Sequence, residues 1–272
     1  MSRKLFIAAL LFVICVLPLG MLTSIPRQKR SYVPEQAVLA RSSREGTWVR
    51  IRDVRSFRHD SAAAEPHYVD RRYDLAAVEQ VWFGLSPFAE WQGPAHAFVS
   101  FEFETGEFLT ISVEARKEVG EDYSPVRGLA RQYELMYVIA DERDAIGLRT
   151  HVWQDPVYLY PGRATPQQAR QLLVALLQRA EQVRRRPEYY NTLTNNCATN
   201  LADAVNEIAP RRLGWSHALL LPGYSDTFAW EQGLLAIEDS PDRVRERYRV
   251  NGRAEAAWGR PDFSAAIRIP AR

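Results

Sequence analysis

Residues 97–114 read AFVSFEF, ETGE and FLTISVE, which are two β-rich runs separated by a short turn that contains Gly106. Such runs around a glycine-containing turn predict a β-hairpin. Further strands are predicted on both sides of it, at residues 47–55, 133–140 and 157–160, and residues 72–83 fit either a strand or a short helix. The hairpin therefore forms the centre of a predicted antiparallel sheet.

Two helices are predicted after these strands. The first begins at Thr165-Pro166, a preferred capping residue followed by proline at the first helical position, and continues to about Val183. The second runs from Cys197 to Ile208, where apolar residues recur at helical spacing. The chain is therefore predicted to be an α+β protein, with an antiparallel sheet flanked by helices.

Residues 5–23, LFIAALLFVICVLPLGMLT, carry no charge and are flanked on both sides by basic residues. About 20 apolar residues span a bilayer, and this run is long for a signal peptide and lacks an Ala-x-Ala cleavage site. We predict a transmembrane helix within residues 1–26, with a cleaved signal as the alternative. The polar residues 27–46 are predicted to be a linker, and residues 47–272 one globular domain.

The charge composition argues against nucleic acid as a partner. Five of the 35 basic residues lie in the first thirty positions, which leaves 30 against 33 acidic residues in the rest of the chain. Nucleic-acid binding requires a basic surface, which this balance does not favour. The chain has 272 residues, of which 46% are hydrophobic, so it can form a large hydrophobic core.

Cys197 is the one cysteine outside the apolar N-terminal run, which contains Cys15. The two cannot pair within one chain, and an unpaired thiol is unusual in an oxidising compartment. Asn195 or Asn196 is a preferred capping residue, which places Cys197 in the first helical turn. There the helix dipole is expected to lower the thiol pKa, and backbone N–H groups can hold an oxyanion. The alternative is a buried, unreactive cysteine.

His96 precedes the strongest strand and is the candidate general base. Its alternative is a surface or structural histidine, as for the other four histidines. Glu114 ends the second hairpin strand and is the candidate residue that orients the imidazole, or else a solvated acid. Four further residues are expected to bind substrate: Asn195, Asn196, Arg116 and Tyr190.

Other kinds of site have no pattern in this sequence. One usable cysteine and scattered histidines do not make a zinc site. The glycines at 120 and 162 are isolated, so no phosphate loop is present, and a Gly-x-Ser-x-Gly elbow is absent. We expect neither a metal nor a cofactor.

Several blocks resemble, in order, the Lnb N-terminal periplasmic domain family, over roughly residues 48–221. They are residues 73–75, 95–103, 111–118, 133–137, 140–144 and 190–197. The family is named for a lipoprotein N-acyltransferase of Bacteroidota, and its His-before-Cys order resembles permuted papain-like proteins related to NlpC peptidases and lecithin:retinol acyltransferase. The resemblance implies a permuted papain-like fold with Cys197 as nucleophile and His96 as base. Glu114 is a weaker assignment, because the third residue varies in type in that group.

These observations together predict a cysteine acyltransferase or hydrolase that acts through a thioester. It is expected to be a single-pass protein of the inner membrane, anchored through residues 5–23, with its globular domain in the periplasm. A membrane lipid or a lipoprotein is the expected substrate. The alternatives are a peptidoglycan-peptide amidase of the NlpC type and a non-catalytic, membrane-tethered binding module.

Overall fold

The computed structural model describes residues 26, 30–59 and 65–268. In this part of the chain one large sheet has the strand order β1-β2-β7-β6-β5-β4-β8, and β3 also pairs with β2. Neighbouring strands are antiparallel except β2 and β7, which meet in a short parallel contact. The strands are β1 (Arg41–Glu45), β2 (Trp48–Arg55), β3 (Tyr68–Asp74), β4 (Val78–Pro87), β5 (Ala95–Phe103), β6 (Phe108–Arg116), β7 (Glu134–Asp141) and β8 (Tyr158–Pro161).

Helices cover both faces of the sheet. Their bounds are α1 (Pro125–Leu129), α2 (Glu142–Gly147), α3 (Pro166–Arg185), α4 (Cys197–Ile208), α5 (Ser225–Glu231), α6 (Pro241–Tyr248), α7 (Asn251–Ala257) and α8 (Phe263–Ala266). Short 3-10 turns lie at Pro34–Gln36, Leu75–Ala77, His217–Leu219 and Pro222–Tyr224, and a π turn at Leu148–Val152. The α+β class is therefore confirmed, with a large central sheet and flanking helices.

Alternation along β5 divides the core into two layers. Ala97, Val99 and Phe101 belong to the core formed with α3 and α4, whereas Phe98 packs with residues of α7 and α8 on the other face. Successive side chains of a strand point to opposite faces, so alternate residues of β5 enter different layers of the core. His96 stacks beside Phe98, with ring centroids 6.4 Å apart. The His96 side chain therefore lies on the face of the sheet opposite α4.

The hairpin is longer at both ends than the sequence predicts, and the ambiguous residues 72–83 are two strands joined by a 3-10 turn. Part of the predicted linker 27–46 is also folded. Residues 41–45, RSSRE, form edge strand β1, which joins β2 through a turn where Gly46 has φ +63°. A polar edge strand lacks the apolar alternation from which strands are predicted. Its pairing with β2 therefore could not be predicted from the sequence.

No helix in residues 26, 30–59 and 65–268 combines the length and hydropathy needed to cross a bilayer. The predicted anchor, residues 5–23, lies outside the described residues.

Candidate active site

The site lies where β5 and β6 separate. Their paired residues end at Phe98 and Ser112, although β5 begins at Ala95 and β6 continues to Arg116. Helix α4 packs against both strands at this point. The backbone of Ala97, in β5, provides a hydrogen bond to Cys197 that favours the thiolate. Cys197 therefore lies close to the backbone of β5.

Asn196 fixes the start of α4. Its side chain accepts from the Thr199 N–H at 2.9 Å, while its amide group donates to the carbonyls of Thr192 and Leu219 at 2.7 and 2.8 Å. Thr199 closes a capping box by accepting from the backbone N–H of Asn196. One buried amide therefore joins the preceding loop, the helix and the 3-10 turn at Leu219, and sets the position of the next residue, Cys197.

Cys197 and His96 line the same cavity of about 360 Å³, together with Glu114, Arg149 and Tyr190. Its outer wall is apolar and partly exposed, formed by Phe88, Trp91 and Trp153. The structure thus brings the three predicted catalytic residues to one cavity, although His96 and Cys197 are 101 positions apart in the sequence.

His96 is held by a hydroxyl and a carboxylate. Its Nε2 lies 2.8 Å from Ser112 Oγ and 3.7 Å from Glu114 Oε1. Ser112 donates to that same carboxylate oxygen at 2.7 Å. The other oxygen of Glu114 accepts from Gln36 at 2.8 Å, and Arg149 Nη2 lies 3.3 Å from Oε1. Both oxygens of the carboxylate therefore accept hydrogen bonds, and Ser112 lies between it and the imidazole.

Burial and neighbouring charge set the protonation of this cluster. Burial, with the nearby Arg149 guanidinium, lowers the pKa of His96 to about 3, against the pull of Glu114. Burial acts to raise the pKa of Glu114, but His96, the charges of Arg149 and Arg55 and the Ser112 hydrogen bond outweigh it and hold that pKa at about 2. At neutral pH the cluster therefore contains a neutral imidazole beside an ionised carboxylate.

Cys197 differs from the sequence-based expectation in its acidity. It is 3% exposed, and burial raises its pKa even though backbone hydrogen bonds at Ala97, Ala198 and Cys197 itself favour the thiolate. The expected lowering is therefore wrong in its net direction, because desolvation outweighs the donors at the helix start. In the free protein the pair is a thiol and a neutral imidazole.

The residues expected to bind substrate differ in their roles. Tyr190 lines the cavity, with its hydroxyl 3.2 Å from that of Tyr123, and burial raises the pKa of Tyr190. Arg116 does not line the cavity: it stacks on Tyr32 at 3.6 Å and donates to the carbonyls of residues 36 and 37.

Asn195 holds the neighbouring loop instead of the cavity wall. Its amide donates to the Tyr189 carbonyl at 2.9 Å, and its oxygen accepts from Asn200 at 2.8 Å. Asn196 lines the cavity, but its side chain is already bonded to the protein. Both residues therefore position Cys197 rather than offer free groups to a ligand.

Ser112, Arg149 and Gln36 were not singled out from the sequence. Ser112 lies two residues before Glu114, so strand alternation places both on the same face, and this spacing was a usable signal. Arg149 lies in the π turn and Gln36 in the predicted linker. Nothing local in the sequence connects either of them to the hairpin.

In a comparison with protein families, the model of the Lnb N-terminal periplasmic domain matches residues 64–223. This range covers β3 to β8 and includes both Cys197 and His96. No curated protein and no solved structure shows significant similarity to the chain.

Proposed function

The chain belongs to the Lnb N-terminal periplasmic domain family, and from this premise we propose that it is a cysteine acyltransferase or hydrolase with Cys197 as nucleophile. The observation that carries the proposal is the cavity shared by Cys197, His96 and Glu114. A nucleophile, a base and a group that orients the base are the parts that covalent acyl transfer requires.

The chemistry proceeds in two displacements. Cys197 Sγ attacks the carbonyl carbon of an ester or amide while His96 accepts the thiol proton. The carbon–sulfur bond forms, His96 returns the proton to the departing oxygen or nitrogen, and a thioester remains. An amine or water, deprotonated by His96, then attacks the thioester carbon; the carbon–sulfur bond breaks, and His96 returns the proton to the sulfur of Cys197. Backbone N–H groups at the first turn of α4 offer hydrogen bonds to the oxyanion of each tetrahedral intermediate.

A second cavity supports an aliphatic acyl group as the substrate. It measures about 160 Å³ and lies beside the first turn of α4, where Ala198 follows Cys197. Its walls are almost entirely apolar, with side chains from β4, α3 and α4 that include Phe83, Leu172 and Leu201. Such a surface fits hydrocarbon and offers few partners to the polar groups of a peptidoglycan peptide.

The exposed part of the catalytic cavity also supports a lipid substrate. Phe88, Trp91 and Trp153 are 45%, 57% and 47% exposed. Aromatic side chains of this kind are favoured where a protein meets a bilayer surface. An anchor within residues 5–23 would keep this cavity near the membrane, because Tyr32, which bridges to Glu118, follows Thr23 by only nine residues. Such a segment spans at most about 30 Å.

We also propose that the fold is of the permuted papain-like type. It is supported by the order of the elements, since His96 lies on a central strand that precedes the helix opened by Cys197. The inner-membrane location, with the domain in the periplasm, is proposed with it.

The test uses the full chain reconstituted in phospholipid vesicles that contain a lipoprotein acceptor. We expect acyl transfer to the acceptor or release of lysophospholipid, and mass spectrometry of the protein should locate an acyl group on Cys197. Cys197→Ala should abolish both products, whereas Cys15→Ala, the matched control at the other cysteine, should retain them. Full activity in Cys197→Ala would overturn the proposal.

The raised pKa of Cys197 favours a second candidate, a non-catalytic binding module that has kept the fold. A module of this kind would bind lipid vesicles equally well with Cys197 or alanine at that position, and would never carry an acyl group. Purified muropeptides in place of vesicles provide the third test. Only a peptidoglycan amidase would cleave them, whereas the acyltransferase and the binding module would not.

A further inference from the structure

Ser112 was assigned no role by the sequence, yet it is 2% exposed and bonded on both sides within the catalytic cluster. The direct distance from His96 Nε2 to Glu114 Oε1 is 3.7 Å, which is too long for a hydrogen bond. The hydrogen-bonded link between the carboxylate and the imidazole therefore runs through the Ser112 hydroxyl.

The direction of these hydrogen bonds follows from counting protons. An ionised carboxylate only accepts hydrogen bonds, so the single hydroxyl proton of Ser112 is donated to Glu114. Ser112 Oγ must then accept from His96 at 2.8 Å, which requires a proton on Nε2. In a neutral imidazole this leaves the lone pair on Nδ1.

We propose that Ser112 is a positioning residue that holds His96 in the Nε2–H tautomer, so that Nδ1 is the base for the Cys197 thiol. The proposal rests on the function proposed above. When Nδ1 accepts the thiol proton, the Nε2–H bond to Ser112 stays in place, and the Ser112 hydroxyl keeps its bond to Glu114. Neither bond has to rearrange as the charge develops.

The chain contains a matched cluster without a histidine. Ser100 donates to Glu142 at 2.5 Å, and Arg268 Nη2 pairs with the same carboxylate at 2.7 Å. Ser100 and Glu142 are fully buried, and Ser100 lies on the sheet face that also carries Ser112 and Glu114, whereas Glu142 begins helix α2. Ser100→Ala therefore removes an equivalent buried hydroxyl. It measures how much the loss of such a hydroxyl destabilises the protein when no histidine is involved.

The first measurement is kinetic and uses the full chain in vesicles. We expect Ser112→Ala to lower kcat for acylation of Cys197 by roughly 10–100-fold, with KM nearly unchanged. Ser112→Thr retains a hydroxyl, and we expect it to restore most of the rate. Ser100→Ala should destabilise the protein to a similar degree in urea but leave kcat close to that of the wild type. Equal rates in Ser112→Ala and Ser100→Ala would overturn the proposal.

The second measurement reads the tautomer without any need for activity. In the full chain labelled with ¹⁵N-histidine in detergent micelles, the His96 nitrogen shifts should identify Nε2 as protonated and Nδ1 as unprotonated at neutral pH. His96→Gln assigns the signal. A proton on Nδ1 refutes the role of Ser112 even if the enzyme acylates Cys197. Conversely, a wild-type protein that forms no acyl-enzyme refutes the proposed function, whatever the tautomer.

Discussion

Replacing Glu114 with glutamine removes a charge from the catalytic cluster and keeps the size of the side chain. When His96 accepts the thiol proton, its positive charge forms beside the carboxylate, with Nε2 and Oε1 3.7 Å apart. At an effective dielectric constant of about 20, two unit charges at that distance attract by about 4 kcal/mol. An effect of this size on the barrier corresponds to about a thousandfold in rate. We therefore expect Glu114→Gln to slow acylation of Cys197 by roughly 10²–10³-fold.

The assay is single-turnover acylation of Cys197, followed by mass spectrometry. Glu142→Gln is the control, because it neutralises a buried carboxylate that also pairs with an arginine and accepts from a serine. Breaking a buried ion pair costs about 3–5 kcal/mol, so both variants should unfold at lower urea concentrations. Only Glu114→Gln should lose the chemistry. If a folded Glu114→Gln retains more than a tenth of the wild-type rate, the carboxylate does not stabilise the imidazolium.

Three other outcomes follow from the same site. Because the pKa of His96 is lowered to about 3 in the folded state, the unfolded chain takes up a proton near pH 6.5 that the native protein does not. The free energy of unfolding should thus fall as the pH drops from about 6.5 towards 3, and urea titrations should show a smaller fall in His96→Gln. Because burial raises the pKa of Cys197, iodoacetamide should react slowly at pH 7 and faster above pH 9; rapid alkylation at pH 7 would contradict this. Ala202→Phe narrows the apolar cavity and should lower kcat/KM by about tenfold for long acyl chains and little for short ones; an unchanged chain-length preference would place the acyl group elsewhere.

The parts of the fold that the sequence predicts are those set by local rules. Helix α4 begins at Cys197 and ends at Ile208 as expected, because Asn196 caps it and its apolar residues repeat at helical spacing. The hairpin is found because β-rich runs flank Gly106, which has φ +78° in the turn. Strand β1 is missed, because an edge strand of polar residues gains its stability from pairing with β2 and not from its own composition.

The residues of the site also divide into those that local features predict and those that only the packing of the fold brings there. The three catalytic candidates were found from residue type and from their places at element ends, which are local features. Arg149 was missed because it approaches Glu114 from 35 positions away, through the packing of the π turn against the sheet. The pKa of Cys197 was predicted in the wrong direction because the helix start is visible in the sequence, whereas the degree of burial depends on the whole fold.

The raised pKa also explains how an unpaired thiol persists in a periplasmic domain. The thiolate, and not the thiol, reacts with oxidants and disulfides, so a buried and protonated Cys197 is protected while the cavity is free. The same burial keeps His96 neutral, although it also makes the imidazole a weaker base. A separated thiolate and imidazolium would be costly in this environment, but proton transfer that accompanies carbon–sulfur bond formation avoids that state. In the proposed reaction the negative charge passes directly to the substrate oxygen, and Glu114 stabilises the imidazolium through Ser112. If the proposal holds, burial protects the resting thiol and makes its activation depend on a bound acyl group.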